Sequence, residues 1–468
     1  MVINIANFNF GGDGGGGGKP ALLQEKTATI VQNGSQTITP DEGFDGMSSV
    51  QINAAITGDS SAIDFSSIGY DSEFSAELNS VWNNDVAYSK TLYDAWDPSM
   101  IGAQYLYRGD KKLVYAPKID TSNVTTTEYM FGGCLNLKAV PMLNTSKVTY
   151  MHSMFSECKS LTTVKLFDTS KVTHMGSMFQ GCTSLTSVPL FDTRNLNYMS
   201  DMFNGCSSLT SVPKLDTSQV ISMSNLFSDC KSLTSVPLFD TSNVINMIGM
   251  FSGCTSLQTV PLFDTSKVNN MQSLFEGCSN LTSLPLFDTS NATHMGCMFE
   301  GCKNLTTIPS FNTSKSENFS NMFSGCTSLT LVPELDTSNA NYMNDMFYEC
   351  KSLTTIEGIS FKSYSASTMN AYRIFGFDNT SIRKAVFKDI GYQSTTVQFN
   401  ISYITNWGVN SDDITDARQS LIDSLITYSF DRLSAGYPTC TITLSTNTKA
   451  LLTSDEIAQI EAKGFTIA

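Results

Sequence analysis

From about residue 111 the apolar positions of the chain recur with a fixed step of 24 residues. One unit, read from Leu161, runs Leu-Thr-Thr-Val-Lys-Leu-Phe-Asp-Thr-Ser-Lys-Val-Thr-His-Met-Gly-Ser-Met-Phe-Gln-Gly-Cys-Thr-Ser. Its opening, Ser-Leu-Thr-Ser-Val in most copies, is short and β-prone. The proline that usually follows donates no ladder hydrogen bond and ends the strand. Asp-Thr-Ser then supplies side-chain oxygens suited to capping the next element. Val172, Met175, Met178, Phe179 and Cys182 lie at i, i+3, i+6, i+7 and i+10, which predicts a short helix with one apolar face. Gly181 is placed to close that helix in the left-handed conformation, with Glu157, Asp229 and Glu349 taking its place in three copies.

Each unit is thus predicted to be one coil of strand, turn, short helix and return. A single coil cannot bury its apolar stripe, but stacked coils form a continuous core. The columns support stacking: Leu137 to Leu353, Phe131 to Phe347, and Cys134, Cys158, Cys182, Cys206, Cys230, Cys254, Cys278, Cys302, Cys326 and Cys350 all keep the step. The expected fold is an α/β solenoid of ten 24-residue coils over residues 111–358.

The unit Met-Phe-x-Gly-Cys-x-Ser-Leu-Thr-Ser-Val-Pro-x-Phe-Asp-Thr-Ser-x-Val resembles the BspA-like leucine-rich repeat. That family occurs in bacterial surface proteins, mycoplasma lipoproteins and structural proteins of phages of gut Bacteroidales. The resemblance implies a leucine-rich-repeat-like array acting as an adhesin or interaction scaffold.

The array has distinct flanks. Residues 1–18 read as a flexible docking arm ending in a glycine run, able to add a strand to a partner's sheet edge. Residues 19–58 read as a small β-hairpin module: Lys26–Gln32 alternates, Asn33-Gly34 is a hairpin turn, Gln36–Thr39 returns, and Val50 with Ile52 suggests a third strand. Residues 59–110, with Trp82 and Trp96, are expected to cap the first coil. Residues 359–468 are expected to form an α+β cap at the other end. There Ile414, Ala417, Leu421 and Leu425 share a helix face, Thr439–Leu444 alternates, and the capping box Thr453-Ser-Asp-Glu456 opens a helix closed by Gly464. The hairpin module and the C-terminal segment resemble parts of phage and Bacteroidales surface proteins.

A formal charge of −15, from 28 basic and 43 acidic residues, argues against nucleic acid as a partner. No apolar run reaches the roughly 18 residues needed to insert in a membrane. The N-terminus lacks the features of a secretory signal, which, if Met1 is the true start, sets the expectation of a chain made in the cytosol that stays there or leaves by another route.

The cysteine column continues the apolar face and reads as buried reduced thiols, with disulfides between rungs or a metal as alternatives. Cys297 stands where other coils carry Ser153, Ser177, Asp201 or Asn225, so it is expected to be at least half-exposed. His174 and His294 share a column but lie five coils apart, too far to share a metal. The aspartate column, Asp168 among it, reads as turn capping, and the methionine stripe as core. No nucleophile elbow, phosphate loop or zinc-protease motif occurs, so neither catalytic residues nor a cofactor are expected.

Two surface arrays stand out. Thr186, Thr210, Thr234 and their neighbours Ser187, Ser211 and Ser235 make a hydroxyl-rich face. The column Tyr150, His174, Tyr198, Ser222, Asn246, Asn270, His294, Asn318 and Tyr342 changes identity from coil to coil and should face solvent. Aromatics interleaved with amides suit contact with carbohydrate or protein. The expected function is a non-catalytic structural and binding protein. The leading setting is a virion fibre or decoration: other virion proteins hold the arm, a host-surface glycan or protein is bound, and homo-oligomers are possible. A bacterial cell-surface adhesin is the alternative, and ice binding by the threonine face a remote one.

Overall fold

The computed structural model describes residues 99–116, 119–360, 382–389, 419–427 and 446–468, short strand segments at 2–4, 29–31, 36–38, 50–52, 369–370, 399–400 and 440–444, and single positions at 97, 362, 374, 429 and 434. Two compact units are formed, Met1–Gln219 and Val220–Ala468.

In the first unit parallel backbone bridges join Gly102 to Thr126, Thr126 to Tyr150, Tyr150 to His174 and His174 to Tyr198. In the second they join Ser222, Asn246, Asn270, His294, Asn318 and Tyr342 in turn. Every bridge spans one 24-residue step, so each unit is a solenoid of the leucine-rich-repeat kind. The second unit passes into a three-stranded parallel sheet of Leu331–Val332, Thr355–Ser360 and Lys384–Lys388.

The short helix expected in each coil is not formed. The segment after Val172 is instead a run of tight turns shared with the neighbouring coil. Within the coil, Met178 N donates to Met175 O (3.2 Å), Gln180 N to Ser177 O (3.1 Å) and Cys182 N to Phe179 O (3.0 Å). The residues between them donate outward: Met175 N to Tyr198 O (3.0 Å), Ser177 N to Ser200 O (2.9 Å), Phe179 N to Met202 O (2.9 Å) and Gly181 N to Asn204 O (2.7 Å). Even-numbered amides serve the coil and odd-numbered amides the stack, so this buried arc leaves none of these groups unpaired. Two left-handed residues per coil make the alternation possible, here Ser177 (φ 55°) and Gly181 (φ 72°), and they exclude a continuous α-helix. The left-handed position at Gly181 was legible in the sequence, and Glu157, Asp229 and Glu349 adopt it too. The second left-handed column was not.

The apolar stripe packs as its spacing requires. Val172, Met175, Met178, Phe179, Cys182 and Leu185 are all at most 1% exposed. Phe rings stack from coil to coil, Phe131 on Phe155 at 5.6 Å and 2° in the first unit, Phe251 on Phe275 at 5.7 Å and 1° in the second. Each fully buried side chain of this size stabilises by about 1.5–3 kcal/mol, so a coil without neighbours forfeits most of its stability. The threonine after each aspartate is buried, and in most coils its hydroxyl donates to the next coil's backbone, as Thr169 Oγ1 to Asp192 O at 2.9 Å and Thr265 Oγ1 to Asp288 O at 2.8 Å; Thr193 Oγ1 is buried without a partner.

The flanking elements are partly as expected. Thr29–Val31 pairs antiparallel with Val2–Asn4, and Gln36–Ile38 with Val50–Ile52. The hairpin expected across Asn33-Gly34 is therefore not the pairing; the first register sets Val2 opposite Val31 and Ile3 opposite Ile30, apolar to apolar. Leu421 and Leu425 are buried on a helical segment whose last part, Asp423–Thr427, is a π-helix. Cys440–Thr443 pairs in parallel with Phe465–Ile467 and Phe399–Asn400. The helix Ser454–Ala462 carries both hydrogen bonds of the capping box, and Gly464 after it has φ 89°. The glycine run, Asn33-Gly34, Trp82, Trp96, Ile414 and Ala417 lie outside the described residues.

Candidate functional site

The column singled out in the sequence is the bridge column itself. Its backbone is bridged from coil to coil within each unit, and its side chains stand outside the core. Tyr198 and Tyr342 are 40% and 58% exposed, His294 is exposed, and Tyr150, His174, Asn246, Asn270 and Asn318 are half-buried. The residues on each side show why: Val172 and Met175 flank the His174 bridge and point inward, so the residues between them must face out.

The column divides by chemistry between the two units. In the second unit the amide oxygens close their own turns. Asn246 Oδ1 accepts from Ile248 N (3.0 Å), Asn270 Oδ1 from Gln272 N (3.0 Å) and Asn318 Oδ1 from Ser320 N (2.9 Å). In the first unit the aromatic side chains contact one another instead. Tyr150 and His174 lie 4.9 Å apart between ring centroids, and His174 and Tyr198 6.1 Å apart.

Three further rings extend this group, and sequence reading missed them. His152 lies 6.2 Å from Tyr150 and meets Tyr129 edge-on at 5.7 Å. Tyr129 stacks on Tyr105 at 5.5 Å and 13°. The Arg108 guanidinium sits over both, 4.7 Å from Tyr129 and 5.2 Å from Tyr105. Tyr105 and Tyr129 belong to the unforeseen left-handed column, with φ of 61° and 50°. Gly176 forms the floor: a Cβ there would come within 2.6 Å of Tyr198 Cε1 and 3.1 Å of His152 Nδ1.

A second surface column also went unremarked. Met142, Leu166 and Leu190 in the first unit and Leu238, Leu262 and Leu286 in the second are 51–61% exposed. Its signal was present, a leucine after Pro189, Pro237, Pro261 and Pro285, but it sits beside the buried Phe column and reads as core. The threonine face at Thr186 and Thr210 is exposed, and its hydroxyls lean back onto the preceding coil's carbonyls at 3.4–3.5 Å.

The cysteine ladder is fully buried and serves the core. Cys182 Sγ donates to Phe155 O at 3.1 Å and Cys278 Sγ to Phe251 O at 3.1 Å, a contact repeated along each unit. Burial pushes the thiol pKa up, to about 12 for Cys134 and Cys326. Cys297 is half-exposed, as its column implied. The aspartates build Asx turns rather than helix caps: Asp168 Oδ1 accepts from Ser170 N (3.1 Å) and Ser170 Oγ (2.7 Å). Those bonds hold its carboxyl below the usual range.

The Thr173 hydroxyl lies 2.8 Å from His174 Nδ1, but Thr293 and His294 repeat the pair at 2.9 Å in the other unit, which marks it as a product of the repeat. Among the described residues no group of three or more His, Cys, Asp or Glu could hold a metal ion. Nor is any described helix long and apolar enough to cross a membrane.

A family model described as a Mycoplasma protein of unknown function, DUF285, matches residues 104–212, 183–284 and 281–376, more than half of the 468-residue chain. No curated protein matches significantly. Among solved structures, a leucine-rich repeat protein from Bacteroides ovatus is 16% identical with a TM-score of 0.39, covering 78% of this chain and 86% of that one. One from Eubacterium ventriosum is 16% identical at a TM-score of 0.38, covering 62% and 85%. A leucine-rich cell surface protein from Faecalibacterium prausnitzii is 17% identical at 0.30, covering 54% and 79%.

Proposed function

We propose that this chain, which belongs to the DUF285 family of Mycoplasma proteins of unknown function, is a non-catalytic binding protein displayed on a biological surface. One observation carries the reading. The core columns of Phe, Cys and Leu repeat almost without change, while the bridge column, half-buried to exposed, changes identity through Tyr150, His174, Tyr198, Asn246, Asn270, His294, Asn318 and Tyr342. A scaffold needs the constant columns, and a recognition surface uses a variable one. Saturable co-sedimentation of the purified full chain with intact gut Bacteroidales cells is the expected result. Failure to bind any such cells, or turnover of cell-wall glycans by the chain, would sink the proposal.

Two settings remain distinct. The resemblance of residues 19–58 and 359–468 to phage and Bacteroidales surface modules favours a virion fibre or decoration, with residues 1–18 as the docking arm and other virion proteins as its partners. The second setting is a bacterial envelope, where the chain is an adhesin. Density-gradient fractions of the source culture separate them. Co-migration with virus particles supports the virion, and recovery with envelopes alone supports the adhesin.

A further inference from the structure

Among the surface features, the aromatic group of the first unit is the one whose geometry restricts what can bind. Tyr105, Tyr129, His152, Tyr150, His174 and Tyr198 form a chain of ring contacts at 4.9–6.2 Å, across several coils. The rings of Tyr105 and Tyr129 are stacked, and Tyr150, His174 and Tyr198 follow one another with tilts of 31° and 34°. Tyr105 and Tyr129 lie face to face, whereas the contacts of His152, Tyr150, His174 and Tyr198 are tilted or edge-on. The group therefore combines ring surface with phenol hydroxyls and imidazole nitrogens.

A sugar that stacks on an aromatic residue needs an open ring face, and Tyr105 and Tyr129 turn theirs to each other and to Arg108. The rims carry the positive side of the ring quadrupole, and Arg108 adds a full positive charge in a fork of donors. Segments 149–153 and 173–177, which hold the central rings, contain no acidic residue, although the chain carries −15 overall. Glu128 and Asp201 adjoin the two ends of the group. Tyr and Arg are also the residues that dominate protein–protein hot spots, because they offer large, stiff contacts with polar tips.

Resting on the binding reading above, we infer that this ribbon of the first unit is the contact surface, and that its partner is a protein presenting carbonyl and carboxylate oxygens. The amides of the second unit, Asn246, Asn270 and Asn318, are turn residues and contribute little.

The test uses the labelled full chain titrated onto intact gut Bacteroidales cells, untreated, protease-treated or periodate-treated. A variant carrying Tyr150→Asn, His174→Asn and Tyr198→Asn gives the first unit the amides that the repeat itself tolerates in that column. Arg108→Gln, at an exposed side chain, is a second variant with no demand on the core. A control carries Asn246→Ser and Asn270→Ser, the residue found at Ser222. Protease treatment should abolish binding and periodate should spare it. The triple variant should weaken binding at least tenfold and Arg108→Gln severalfold, with circular dichroism unchanged and the control within twofold of the parent. Loss after periodate alone would overturn the inference in favour of a glycan, while leaving the binding reading intact. Loss in the control with retention in both ribbon variants would also overturn it. Absence of binding by the unaltered chain would remove the binding reading and this inference together.

Discussion

At the scale of single residues, two columns make sharp predictions. Cys182, Cys206 and Cys278 of the ladder are neutral thiols at ordinary pH, because burial raises their pKa, and each donates to a backbone carbonyl. In the native chain a thiol-reactive dye at pH 8 should leave Cys182, Cys206 and Cys278 unlabelled, and label them at once in denaturant. Rapid native labelling of any of the three, read by peptide mapping, would contradict the burial. The aspartates behave oppositely. Asp168, Asp264 and Asp288 are held below the usual carboxylate range, chiefly by the hydroxyls of Ser170, Ser266 and Ser290. A lowered folded pKa means the stabilisation is complete above the unfolded value, about 4, and is lost as pH falls through the folded one. Asparagine makes the same turn without titrating, as Asn144 Oδ1 shows with Ser146 N at 3.2 Å. Replacing all three aspartates by asparagine should therefore flatten the acid limb of the melting temperature against pH. An unchanged acid limb would exclude these turns as its source.

The coil is the scale at which the sequence pattern misled. Spacings of three and four suggest a helix because they bring side chains to one face, yet successive tight turns with left-handed residues bring the same side chains inward. The distinction lies in where the amides go. A helix satisfies its amides within the segment, whereas this arc sends alternate amides to the next coil, from Met175, Ser177, Phe179 and Gly181. The pairing exists only when the neighbour is present, so no local signal in one unit reveals it. Gly205, with φ 77° and a hypothetical Cβ 3.4 Å from Gly181 Cα, tests the arc. Gly205→Val should cost about 1–2 kcal/mol for the left-handed conformation alone, read as a lower urea midpoint. If the segment were helical in solution, the cost would be no more than the difference in helix propensity and could reverse in sign.

For the whole molecule, stacking makes the chain tolerant in steps of its own period. Deleting residues 245–268, one period of the second unit, should leave a folded protein with its spectrum of turns and parallel bridges. Deleting residues 245–256 should unfold that unit, since Phe, Cys and Leu columns would then face the wrong neighbours. Equal effects of the two deletions on thermal unfolding would argue against a solenoid. The variable bridge column is outside this constraint, which is why it can carry recognition without disturbing the stack.

A fixed step of 24 with constant apolar columns was enough to determine the solenoid, the buried Phe, Met and Cys ladders and the place of the bridge column outside the core. Each of these depends only on which residues must leave water. The tertiary structure alone decided the backbone of the arc, the second left-handed column, and the pairing of Thr29–Val31 with Val2–Asn4. It also gathered Tyr105, Tyr129 and His152 beside Tyr150, His174 and Tyr198, while turning Asn246, Asn270 and Asn318 back on their own amides. These depend on hydrogen bonds and ring contacts between residues a full coil apart or on whether a side-chain oxygen finds a nearby amide, and hydrophobic periodicity carries no information about either.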